Sequence, residues 1–175
     1  QADLFARHPR TRMFSALPMF WTAGLNTAMG ATLAAGGTWV MQETFDPAAA
    51  LEVMARERVT EPYVLPHQGA ALTEEPGWDD ADLSSLRCVY GKGPLARHPS
   101  VTPDPGWMTP AGYGLSETCA YFSGHRSSTT RERMGVGLGP LLPGNHLIVR
   151  HPDTGRPLPP GTVGNSEAGH LHIGA

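Results

Sequence analysis

Cysteine is nearly absent: the chain has two, Cys88 and Cys119, and neither belongs to a CxxC pair. Neither a disulfide framework nor a zinc cage is indicated by that usage. Lysine is scarcer still. Of 13 basic residues, Lys92 is the sole lysine and the others are arginine. There is no basic excess, because 16 acidic residues leave a net charge of −3. That balance argues against a nucleic-acid binder, which needs a basic face to offset phosphate charge. Long apolar runs are missing too. Gly, Thr and Asn interrupt each stretch, so none approaches the ~18 apolar residues of a membrane span. The first residue is Gln and no basic-then-apolar leader follows. A chain of this kind reads as part of something longer, with a cytoplasmic location as the default expectation.

What is abundant is turn chemistry. Gly 21 and Pro 17 in 175 residues predict many turns without reaching a disordered composition. The length suits one domain or one lobe of a larger enzyme. A domain this size buries roughly 68–70% of its unfolded surface, enough for a core of its own.

Residues 12–17 read as a strand ending at Pro18, residues 24–35 as an Ala-rich helix weakened by glycine, and residues 38–42 as a second strand. Asp46 is a good N-cap and Pro47 suits the first helical position, where its missing N–H costs nothing. Leu51, Met54, Ala55 and Val59 then recur at helical spacing, with Glu52 and Arg56 as an exposed i,i+4 pair. Residues 63–65 read as a strand closed by Pro66, residues 67–73 as a short helix, and residues 86–90 as a fourth strand running into Gly91-Lys92-Gly93-Pro94. Alternating strands and helices predict an α/β fold, a parallel-rich sheet flanked by helices through right-handed crossovers. Beyond about residue 120 the pattern changes. Residues 145–150 and 170–173 look like strands, linked by turn-rich segments with an Asx-type turn at Asp153-Thr154-Gly155. The expected division is residues 1–125 as the α/β unit and residues 126–175 as the start of an antiparallel, barrel-like region.

The most distinctive chemistry lies in Gly112-Tyr113-Gly114-Leu115-Ser116-Glu117-Thr118. Glycines let backbone approach a ligand closely. Tyr113 can stack on a flat base, Ser116 can bond a phosphate oxygen, and Glu117 can give Mg²⁺ a carboxylate oxygen. The same residues also suit a plain glycine turn followed by a Ser/Glu helix start, and on their own they leave both readings open. A nucleophile elbow, G-x-S-x-G, fails because position 118 is Thr. Gly91-Lys92-Gly93-Pro94 follows an expected strand, where open parallel sheets bind ligands, and equally suits a simple turn. Gly135-x-Gly137-x-Gly139-Pro140 does not complete a dinucleotide fingerprint, and no Walker-type phosphate loop is present. His170 and His172 would share one face of a strand near His146 and His151, but no third ligand stands at a recognised spacing, so a metal site is not favoured.

Taken in order, these pieces resemble the adenylate-forming (AMP-binding) superfamily of acyl-CoA synthetases, luciferases and adenylation domains. Phe14-Ser15-Ala16-Leu17-Pro18-Met19-Phe20-Trp21-Thr22-Ala23-Gly24 looks like the family's L-P-L-F-H-x-x-G stretch. Gly36-Gly37, Phe45-Asp46-Pro47 and Asp82-Leu83-Ser84-Ser85-Leu86-Arg87 follow, and Gly91-Lys92-Gly93-Pro94-Leu95 resembles the G-G-A-P-L loop. Tyr113-Gly114-Leu115-Ser116-Glu117-Thr118 resembles the Y-G-x-T-E core motif, and Asp153 to Gly161 and Gly169 to Gly174 look like late barrel strands.

The resemblance implies an AMP-forming acyl-CoA synthetase, of the kind that serves fatty acid metabolism, using ATP, Mg²⁺ and CoA on a small carboxylic acid. It gives Ser116 and Glu117 catalytic roles, with Glu117 on the metal. Gly91, Lys92, Gly93, Pro94, Gly112, Tyr113, Gly114, Leu115 and Ser116 would line the nucleotide, and Trp21, Gly91 and Lys92 the acyl pocket. Departures are Trp21 where His is common, Lys92 where Gly is common, and His170 where Glu is common. Three prolines in residues 99–105 also leave little room for the helix usual there. The family's phosphate loop would precede residue 1, and its ribose-binding Asp and its catalytic Lys domain would follow residue 175. The fragment by itself is therefore expected to be inactive and to pack against missing halves of its parent. The alternative is a truncated, non-catalytic ligand- or partner-binding module with an exposed apolar face, prone to homo-oligomerise.

Overall fold

The computed structural model describes residues 1–134, 137–163 and 165–170, the last six as backbone. The chain opens with β1 (Arg12–Ser15), a π-helix (Ala23–Gly30) continuing into α1 (Ala31–Ala34), and β2 (Thr38–Met41). Then come α2 (Pro47–Arg56), β3 (Glu61–Tyr63), α3 (Pro66–Thr73) and a 3₁₀ turn (Pro94–Arg97). The later elements are β4 (Gly112–Leu115), a 3₁₀ turn (Ser116–Thr118), β5 (Ala120–Gly124), α4 (Arg131–Met134), β6 (Asn145–Arg150) and β7 (Asn165–His170).

The first sheet is parallel in the order β2-β1-β3, so the expected α/β architecture is the observed one. Asp46 caps α2 as its type dictates, its carboxylate accepting from the Ala49 amide at 2.8 Å. The apolar face of α2 delivers Ala50, Leu51 and Met54 to a core shared with Phe14, Val59, Leu72, Leu86 and Leu95. Glu52 and Arg56 pair at 3.4 Å on the exposed side. β3 lies at the sheet edge, where Pro62 costs little as a ladder member without an N–H.

Four expectations need correction. The helix over residues 24–35 forms, but its first part is wound wider: the Ala31 amide reaches back to the Asn26 carbonyl, five residues away. β3 begins at Glu61, not at residue 63. Leu65 leaves the strand to start α3, its amide held by Gln68 Oε1 at 2.9 Å. No strand forms over residues 86–90. The Arg87 and Cys88 amides share one carbonyl, that of Thr60, and the Arg87 carbonyl accepts from Asp104, so no ladder can propagate. The turn at Asp153-Thr154-Gly155 closes through the Gly155 amide to the His151 carbonyl at 2.9 Å, without an Asx bond.

Residues 99–105 form no helix, as their prolines predict. β6 and β7 pair antiparallel from Asn145↔His170 to Arg150↔Asn165, so the late strand extends upstream of residue 170. Residues 171–173, His172 and the His170 side chain lie outside the described residues. Among the described residues no helix is long and apolar enough to cross a membrane.

Candidate functional site

The glycine-rich motif folds back on itself. β4 and β5 form an antiparallel hairpin, with a bulge between Tyr113 and Gly114. Gly114 is required by contact: a Cβ there would lie 1.7 Å from the Ala120 carbonyl oxygen. Ser116 and Glu117 are exposed at the tip, while Thr118 is buried beneath them. Thr118 Oγ1 accepts from the Leu115 amide at 2.9 Å and lies 3.0 Å from the Ala120 carbonyl oxygen, closing the turn. Cys119 and Ala120 then take left-handed conformations (φ 53 and 71), uncommon for residues with a Cβ.

Two clefts flank this hairpin. One, of about 470 Å³, is lined by Gly112, Tyr113, Gly114, Leu115 and Ser116 together with Thr22 and Ala23 from the π-helix end. The other, of about 460 Å³, receives Lys92, Gly93 and Pro94 beside Leu65, Leu95 and Trp107. Tyr63 and Tyr121 line both and form the wall between them. Burial pushes both phenols above the usual tyrosine range, so each stays neutral. The Tyr113 ring packs edge-on against buried Phe122 at 5.4 Å.

The structure therefore gathers most of the expected site residues, in two groups. Gly91, Glu117 and Trp21 join neither lining. A Cβ on Gly91 would meet nothing within 4 Å, and Trp21 is half-exposed, packed edge-on against Phe20 at 6.2 Å. Glu117 has no ion pair among the described residues, and no group of three or more His, Cys, Asp and Glu side chains converges there. A free carboxylate at an exposed tip suits Mg²⁺, which takes one or two carboxylates and completes its shell with phosphate oxygens and water. A larger hollow of about 870 Å³ is lined by Gln1, Asn26, Ala31, Cys119, Tyr121 and Leu142, and of the motif it touches Thr118 alone.

One pair escaped the sequence reading. Arg7 chelates Glu61, Nε to Oε2 at 2.9 Å and Nη2 to Oε1 at 2.8 Å, with both side chains buried at the rim of the second cleft. A third guanidinium N–H donates to the Thr27 carbonyl of the π-helix. Burial pushes the Glu61 carboxyl up, and the Arg7 guanidinium pulls it back. Cys88 lines the same cleft. Burial first, then the Glu61 and Asp104 charges, push its thiol up to about 12. The available signal for the pair was a lone Glu preceding Pro62 at the start of a strand that is otherwise apolar.

Comparison with known proteins identifies the family. The chain matches the AMP-binding enzyme family over residues 1–173. A feruloyl-CoA synthase from Amycolatopsis sp. is 33% identical over 156 residues, which is 87% of this chain and 31% of that protein. 4-Coumarate–CoA ligase 1 of Oryza sativa subsp. japonica is 29% identical over 161 residues, 86% of this chain and 28% of that protein. The crystal structure of apo MatB from Rhodopseudomonas palustris superposes with a TM-score of 0.67 at 27% identity, covering 97% of this chain and 33% of that one. The chain thus spans about a third of the length of the relatives it matches. With the ordered motifs, the parallel sheet and the glycine hairpin all in agreement, the chain belongs to the AMP-binding enzyme family.

Proposed function

We propose that this chain is the central part of an AMP-forming acid–thiol ligase acting on an aromatic carboxylic acid. A carboxylate oxygen attacks the α-phosphorus of ATP and the bond to pyrophosphate breaks, leaving an acyl-adenylate. The sulfur of CoA then attacks the acyl carbon and AMP departs. Bringing two anions together needs positioning and charge neutralisation above all. Tyr113 offers a flat face to the base, while Gly112 and Gly114 keep side chains out of the backbone's approach. Ser116 gives a hydroxyl to phosphate and Glu117 holds Mg²⁺, which neutralises phosphate charge when bound. Lys92, Gly93 and Pro94 line the acyl side.

The observation that carries the aromatic reading is the second cleft. Its volume of about 460 Å³ and its lining of Tyr63, Tyr121, Trp107 and Pro94 suit a flat ring better than a long aliphatic chain. The names of the relatives, a feruloyl-CoA synthase and a 4-coumarate–CoA ligase, favour the same substrate class.

The test is pyrophosphate release by the intact protein with MgATP and a set of hydroxycinnamic, indoleacetic and fatty acids. Glu117→Gln is expected to lower kcat on the order of 10²-fold, and residues 1–175 by themselves to release nothing. Full activity in Glu117→Gln would remove the metal role, and preference for a fatty acid would remove the aromatic one.

A further inference from the structure

Cys119 and Ala120 sit directly behind Ser116 and Glu117, and both hold left-handed backbone (φ 53 and 71) against the steric demand of their own Cβ atoms. Conformations of this kind persist only where the surroundings over-determine them. The fixing contacts come from outside the hairpin. Asn26 Nδ2 donates to the Cys119 carbonyl at 2.6 Å, and Gln1 Nε2 donates to the same oxygen at 2.7 Å. Two donors fill the two lone pairs of that carbonyl.

Asn26 stands on the π-helix, whose wide turn leaves its backbone carbonyl bonded to Ala31. Its neighbour Thr27 donates through Oγ1 to Gln1 Oε1 at 2.9 Å, and the Thr27 carbonyl accepts from Arg7. One hydrogen-bonded line therefore runs from the Arg7–Glu61 pair, through the π-helix, to the turn that presents Ser116 and Glu117. Wide helical turns of this kind are frequent at functional sites.

We propose that Asn26 is a positioning residue for adenylate formation. It lines neither of the two clefts. Through the Cys119 carbonyl it sets the direction in which the Ser116–Glu117 tip faces phosphate and Mg²⁺. The inference rests on the roles given to Ser116 and Glu117 above, and it assigns to Asn26 the first half-reaction only, because thiol attack on a formed adenylate does not use that tip.

The decisive variant in the intact ligase is Asn26→Asp, which keeps shape but turns an acceptor toward the carbonyl. Expected are a fall of about tenfold or more in kcat for pyrophosphate release and a higher Mg²⁺ requirement. Calorimetric titration should show correspondingly weaker MgATP binding without acid present. The KM for the carboxylic acid and the rate of thioester formation from preformed acyl-adenylate should be unchanged. Asn26→Gln, which retains the donor, should recover part of the loss. Should Asn26→Asp not fold, Asn26→Ser removes the reach without adding charge and gives the same readings. Equal loss in both half-reactions would overturn the proposal, as would wild-type adenylation in Asn26→Asp beside a crippled Glu117→Gln. Wild-type adenylation in Glu117→Gln would instead overturn the reading of the tip on which it rests.

Discussion

Gly114→Ala puts a methyl group where the hairpin has no room. The added Cβ would lie 1.7 Å from the Ala120 carbonyl oxygen, 2.3 Å from its carbon and 2.7 Å from the Tyr121 Cα. All three are backbone atoms, so no rotamer change relieves the overlap. The backbone cannot retreat freely either, because Ala120 is already left-handed and its carbonyl lies 3.0 Å from Thr118 Oγ1. Overpacking costs about 1–3 kcal/mol where neighbours can yield. Losing a ladder hydrogen bond as β4 and β5 part adds about 1 kcal/mol. The total is about 2–4 kcal/mol, or a Tm lowered by about 4–16 °C in a domain of this size. Gly91→Ala is the matched control. Its Cβ meets nothing within 4 Å, so its stability should stay within about 0.5 kcal/mol of wild type. Urea midpoints at a common slope measure the difference. Coincident midpoints for the two variants would refute the conclusion that close backbone approach at Gly114 holds the motif in shape.

Two further outcomes test the wall between the clefts. Arg7→Met leaves the Glu61 carboxylate buried without its partner and should cost about 3–5 kcal/mol, whereas Arg7→Met with Glu61→Leu should recover most of that loss. Denaturation of the single and double variants measures both, and a double variant less stable than the single would refute the pairing. With its thiol pushed up to about 12, Cys88 should resist a thiol reagent at pH 8 until the chain unfolds, while exposed Cys119 reacts at once. Between the unfolded value of 9.0 and about 12 the unfolded chain binds fewer protons than the folded one, so stability falls as pH rises through that window, and less so in Cys88→Ala. Two fast thiol equivalents at pH 8 would count against the burial.

Local chemistry was legible and shared hydrogen bonds were not. Asp46 and Pro47 announce α2 because a cap depends on residues within one turn of it. The stretch over residues 86–90 misled because its apolar Leu86 and Val89 are buried without belonging to a strand. Periodicity reports burial, whereas a ladder needs a partner with free carbonyls, and Thr60 offers one to two amides. The same limit applies at the site. The glycines marked residues 112–118 as a turn or a place of close ligand approach, but the β4–β5 hairpin was not legible, and the division into two clefts depends on Tyr63 and Tyr121 meeting from distant segments. In the sequence Arg7 looks like one of many surface arginines.

The placement of that arginine follows from the weakness of β3. The strand has three residues, stands at a sheet edge, and loses a donor at Pro62. Such a strand is poorly fixed by its ladder, yet it carries Tyr63, half of the wall on which both clefts depend. Arg7 supplies what the ladder lacks. Its fork grips Glu61, the residue before Pro62, and its remaining N–H group holds the Thr27 carbonyl, so edge strand and π-helix are tied at one point. A buried ion pair is a costly way to gain stability alone, since desolvation offsets most of the attraction. Here its geometric effect is the larger one: it ties the strand that carries Tyr63 to the helix that also reaches the Ser116–Glu117 turn.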